Sequence, residues 1–93
     1  MSGLRPFRFG AAPYATASAA AYFDTARRIE ALGYSTLQTA DHFNQRWFEP
    51  GPALMAAALA TTTLRVSCTV FDNDFRHPAL LAKEAASIDV LSG

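Results

Sequence analysis

Apolar and polar positions along the chain change their period repeatedly, and each change marks a predicted element. In Pro6–Ala12, Phe7 and Phe9 alternate with Arg8, the two-residue period of a strand, and Gly10 allows a tight exit. Pro13 and the small residues of Ala11–Ala17 predict a loop, and Ser18 is suited to cap the next element. Tyr22, Ala26, Ile29 and Leu32 then recur at three- and four-residue intervals, with Asp24, Arg27, Arg28 and Glu30 between them, which predicts a helix ending at Gly33. Thr36–Ala40 reads as a short buried strand that runs into Asp41-His42 and an aromatic, polar loop, Phe43 to Phe48. Pro50-Gly51-Pro52 opens an alanine-rich helix carrying Leu54, Met55 and Leu59, which the β-branched run Thr61-Thr62-Thr63 ends. Leu64–Phe71 predicts a third strand and Asp72-Asn73-Asp74 a turn. His77-Pro78 starts a third helix with a stripe of Leu81, Ala85, Ile88 and Leu91, stopped at Ser92-Gly93.

Strands alternating with helices at roughly thirty residues per pair predict right-handed crossovers and a parallel sheet, an α/β fold. Parallel strands need both faces covered. Three helices on a wall that curves like a barrel cover one face, so the other face and both sheet edges are expected to need partners.

Composition narrows the functional classes. Ninety-three residues can bury only about 60–65% of their unfolded surface, which makes a real but thin core. Eight basic residues balance eight acidic ones, and no basic run could track a phosphate backbone, so nucleic acid is not an expected partner. Cys68 is the only cysteine, which excludes an internal disulfide and a paired-cysteine metal or redox site. With no signal-peptide core and no membrane-length apolar run, the reading is a soluble, cytoplasmic chain without a membrane partner.

The candidate chemistry sits at strand ends. Asp41-His42 places a carboxylate beside an imidazole, the side-chain type that titrates nearest neutrality and so serves as acid or base. Neighbours in an extended segment point to opposite sides, so only a bent strand end brings both into one pocket. The plainer reading makes His42 a loop histidine and Asp41 a cap. Asp72, Asp74 and His77 add the groups a metal-dependent hydrolase would want, yet no HxH or HExxH spacing occurs. Cys68 reads as a small buried filler rather than a nucleophile.

The strand end TADHF, the leading FRFG and the block FRHPALLAKEAASIDVLSG carry a resemblance. Together they are similar to the N-terminal part of the bacterial-luciferase-like oxidoreductases, most closely the branch that uses the deazaflavin coenzyme F420 in place of FMN. The resemblance implies that residues 1–93 form the first three βα units of a (β/α)8 TIM-type barrel, with no separate second domain and the strand ends facing the active site. It implies hydride transfer between F420 and a small-molecule substrate, with FMN-dependent monooxygenation as the alternative. By the same resemblance His42 is the acid/base, with Asp41 orienting it or binding coenzyme, and Trp47 walls the substrate pocket. A non-proline cis peptide is expected at Thr69-Val70 under the coenzyme ring, and Asn73 is expected to offer its amide to the coenzyme. The coenzyme's phosphate-bearing tail would rest on later barrel loops, which implies weak or no coenzyme binding by these residues alone. The family's second and third helices form much of its subunit interface, which implies a homodimer through those helices or a complementary barrel fragment. A non-catalytic assembly module is the alternative from another class.

Overall fold

The computed structural model describes residues 3–93. Its elements follow the predicted alternation: β1 (Gly10–Ala11), α1 (Ala19–Ala31), β2 (Thr36–Thr39), α2 (Pro50–Ala60), β3 (Arg65–Cys68), a single 3-10 turn (Asn73–Phe75) and α3 (Pro78–Ser92). The strands lie in the order β1-β2-β3 and are parallel throughout, with Gly10 opposite Thr36 and Thr36 opposite Arg65. Sequential neighbours in a parallel sheet, each joined by a helix, form the wall of three successive βα units, as expected.

Local chemistry places the element ends. Ser18 accepts a hydrogen bond from the Ala21 amide at 3.1 Å, which satisfies one of the free donors of the first turn of α1. At the other end Gly33 adopts φ +93°, a left-handed conformation that suits glycine. α2 begins with Pro50, whose missing amide costs nothing at a helix start. His77 caps α3 through its own ring, Nδ1 accepting from the Ala79 amide at 3.1 Å.

The core lies between α1, α2 and one face of the sheet. Tyr22, Ala26 and Ile29 of α1 meet Ala53, Leu54 and Ala57 of α2 over Leu37, with Leu64 at the mouth of β3. Alanines at Ala26 and Ala57, both wholly buried, let the two helices approach closely. The polar face of α1 is also put to structural use. Glu30 Oε2 accepts from the amides of Thr62, Thr63 and Leu64 at 2.7–3.0 Å and from the Thr63 hydroxyl, and Arg27 Nε donates to the Ala60 carbonyl at 3.2 Å. These two side chains fasten the α2–β3 loop to α1. The amide bonds hold the Glu30 carboxyl below the usual carboxylate range.

Several expectations need correction. The first strand pairs only at Gly10 and Ala11, not over Pro6–Ala12, and Phe7 and Phe9 stay exposed, because no layer among the described residues covers the face they present. Leu32 follows the last turn of α1 and is exposed, and the outward turn of α2 likewise leaves Leu59 exposed. The third strand stops at Cys68 instead of Phe71. In the α3 stripe Leu81 and Ile88 are half-buried, while Ala85 and Leu91 are exposed, because α3 packs chiefly on α2 and no element of the described residues lies along its far side.

Candidate functional site

The C-terminal ends of β2 and β3 converge around Asp41. Its side chain is only 2% exposed, and such a carboxylate must be paired. Arg76, from the turn before α3, supplies a two-point clamp: Nε to Oδ2 at 3.1 Å and a terminal nitrogen to Oδ1 at 3.0 Å. The Asp72 amide donates to the same Oδ2 at 2.8 Å. Arg76 also bonds Glu49 at the start of α2, and its guanidinium lies 5.2 Å from the centre of the Phe71 ring. One arginine therefore ties the end of β2, the start of α2 and the β3–α3 turn together.

The electrostatics reflect this geometry. The Arg76 hydrogen bonds, assisted by the Asp72 amide and opposed by burial, hold the Asp41 carboxyl below its ordinary value. The same contacts with Asp41 and Glu49 push the Arg76 guanidinium up. Burial raises the Cys68 thiol to about 11, with the Asp41 charge adding to it, so Cys68 is a neutral thiol at neutral pH. That agrees with its reading as a filler rather than a nucleophile, although Cys68 is half-buried instead of buried.

Asp41 and His42 part company. Asp41 turns into the buried clamp, whereas His42 is exposed on the rim. β2 and β3 remain joined up to this level by the Thr69 amide, which donates to the Thr39 carbonyl at 2.9 Å. The Thr69-Val70 peptide is cis, as the family resemblance implied, and Val70 is 73% exposed. Asn73 is exposed in the 3-10 turn, beside Asp72, whose side chain caps the Asp74 amide at 2.9 Å. Trp47 packs edge-on against Tyr14, 5.1 Å between ring centres, and the Ala15 amide donates to the Arg46 carbonyl. Its ring thus joins the β2–α2 loop to the β1–α1 loop. Phe43 and Phe75, 4.6 Å apart, bridge the β2–α2 loop and the 3-10 turn.

Asp41, Asp72 and His77 are each engaged by the protein's own donors, and among the described residues no three His, Cys, Asp or Glu side chains converge on one point. No described helix is long and apolar enough to cross a membrane.

Sequence reasoning missed Arg76, Glu49 and Glu30. A signal for Arg76 was present: Asp41 ends a buried strand and needs a cation, and Arg76 is the one Lys or Arg between Arg65 and Lys83. Glu30 gave no such signal, since its partners are backbone amides.

The family model for luciferase-like monooxygenases matches residues 1–93. The chain belongs to the luciferase-like monooxygenase family. No curated protein matches it. The wall of three βα units is consistent with the first part of a luciferase-like barrel, and membership points to an oxidoreductase or monooxygenase kind of function in a family that depends in general on flavin or F420. His42, Val70 and Asn73 are exposed, and an imidazole, an apolar side chain and an amide are groups of the chemical kinds that the ring of such a coenzyme could use. Arg76, the cation of the clamp, is engaged by Asp41 and Glu49, so it is not free for the coenzyme's phosphate.

Proposed function

We propose that this chain forms the first wall of an F420-dependent oxidoreductase site, acting on a small organic substrate. The observation that supports this reading best is the division of labour at the end of β2, where a buried, doubly held Asp41 is followed by an exposed His42. A bound deazaflavin supplies the two-electron chemistry, accepting or giving up a hydride. His42 exchanges the accompanying proton at its ring nitrogen, on the solvent side of the rim. Asp41, fixed by Arg76 and the Asp72 amide, sets the backbone direction from which His42 departs. Thr69, Val70 and Asn73 would hold the ring, and Trp47 would wall the substrate side.

Titration of the purified chain with F420 and with FMN, followed by coenzyme fluorescence, tests the reading. Saturable change with F420 alone, weakened by His42→Ala, supports it. Saturation by FMN alone moves the chain to the flavin monooxygenase branch. No response to either coenzyme, the outcome expected if the later barrel loops are needed for binding, leaves ahead, for these residues alone, a non-catalytic module that pairs with a second copy through α2 and α3 or with a complementary barrel fragment.

A further inference from the structure

The loops that follow β1 and β2 are tied together by contacts of their own. The Arg46 carbonyl accepts from the Ala15 amide at 2.7 Å, and Asn44 Oδ1 accepts from the Arg46 amide at 2.9 Å, so the backbone that carries Arg46 is held at both its polar groups. Its side chain is placed as well. The guanidinium lies 5.9 Å from the centre of the Tyr14 ring, and Trp47 packs edge-on with the same ring at 5.1 Å. A cation and two aromatic rings therefore share one small surface, on which Trp47 is half-buried and Arg46 exposed.

The arginines differ in what holds them. Arg76 is bonded to Asp41 and Glu49, and Arg27 to Asp24 and the Ala60 carbonyl, whereas the Arg46 guanidinium donates to no acceptor among the described residues. Arg46 follows His42 by four positions, so their Cα atoms lie at most about 14 Å apart along one rim loop. A guanidinium fork matches a carboxylate with two parallel hydrogen bonds, and aromatic rings take a flat apolar body. Phosphate asks for several converging donors, and the helix into which this loop leads does not supply them. Pro50 and Pro52 have no amide hydrogen, and the Ala53 amide is used on the Glu49 carbonyl.

We propose that Arg46, Tyr14 and Trp47 form a subsite for a small flat acid, its carboxylate on Arg46 and its apolar body against the two rings. Combined with His42 as the proton-exchanging group, a step that rests on the coenzyme reading, the subsite names the substrate class as an aromatic carboxylic acid. The acid subsite itself stands without that reading.

Trp47 is the only tryptophan of the chain, so its emission reports on this place alone. The test titrates the full chain, without coenzyme, with 3-phenylpropionate, its amide, propionate and inorganic phosphate, exciting at the red edge where a phenyl ring is transparent. The phenyl acid should saturate in the millimolar range and bind about threefold or more tightly than its amide, the scale of an ion pair on an exposed surface. Propionate, which lacks the ring, and phosphate should leave the emission unchanged. Arg46→Gln should bring the acid down to the affinity of the amide, and Arg46→Lys should keep part of the preference. Replacing an exposed arginine of α1, Arg28→Gln, should keep all of it.

A preference below threefold, or no saturable change with the acid, overturns the proposal. So does a preference that survives in an Arg46→Gln variant folded by circular dichroism. Propionate binding as well as the phenyl acid would remove the rings from the site, and phosphate binding as well would make Arg46 a general anion contact; either overturns it. Should Arg46→Gln not fold, the comparison of acid, amide and propionate on the unaltered chain decides. Because no coenzyme is present, failure here leaves the F420 reading standing, and a failed F420 titration leaves the acid subsite standing.

Discussion

Helices α1 and α3 make an instructive pair. They have 13 and 15 residues, and each starts at a residue whose side chain caps the first turn, Ser18 and His77. α1 buries Tyr22, Ala26 and Ile29, whereas α3 buries nothing completely. The difference lies in the neighbours. α1 lies against α2 and β2 and closes the α2–β3 loop with Arg27 and Glu30, while α3 has α2 on one side and an open groove along β3 on the other. An apolar stripe on a helix supplies the means of burial, and only a facing surface turns it into stability. Besides the packing of α3 on α2, the Arg76 clamp joins the thin half to the packed half, reaching from the turn before α3 to Asp41 and Glu49.

Breaking that clamp should have the largest effect. Arg76→Met leaves Asp41 buried without its cation and is expected to cost about 3–5 kcal/mol, read as the shift of urea unfolding followed by circular dichroism. An unchanged midpoint would mean that the two halves do not depend on this pair. The same substitution in the two helices measures the contrast directly. Ile29→Ala should cost about 3 kcal/mol as a buried truncation, and the half-buried Ile88→Ala only about 1 kcal/mol. Equal losses would put α3 in the core after all. Amide exchange sharpens the same point, with α3 exchanging faster than α1 through local opening.

Acid offers a further way to strain the clamp. Asp41 is more acidic folded than unfolded, so its contribution is fully present above the ordinary aspartate value near about pH 4 and fades as pH falls through the lower folded value. The unfolding midpoint should therefore drop on the acid side. The drop should be shallower in Arg76→Met, where Asp41 has lost the largest cause of its shift. The smallest change belongs to Ser18→Ala, about 1 kcal/mol from one lost cap, with the loss confined to the α1 half.

Much of this organisation was legible from local pattern. Ser18 and Gly33 bracket α1 by capping chemistry that involves only their neighbours, and the alternation of periods was enough for a parallel three-strand wall. The blocks TADHF and FRHPALLAKEAASIDVLSG carried the family, and the matched family model agrees. The site was legible only in part. Asp41-His42 marked the strand end at which the Arg76 clamp is built, and the opposite pointing of neighbours in an extended segment was legible, but nothing local said which of the two would be buried.

Those facts belong to tertiary structure because they depend on partners far along the chain. Arg76 lies 35 residues from Asp41, and Glu30 meets amides 32–34 residues away. Periodicity is a property of a few turns, so it could place α3 and its stripe without knowing whether anything would lie against it. Strand order, the turn before α3 and the close approach of Glu84 to Gly51 set which carboxylates found donors. Asp41 found three, two on Arg76 and one on the Asp72 backbone, Glu30 found three backbone amides and a hydroxyl, and one oxygen of Glu84 found none among the described residues.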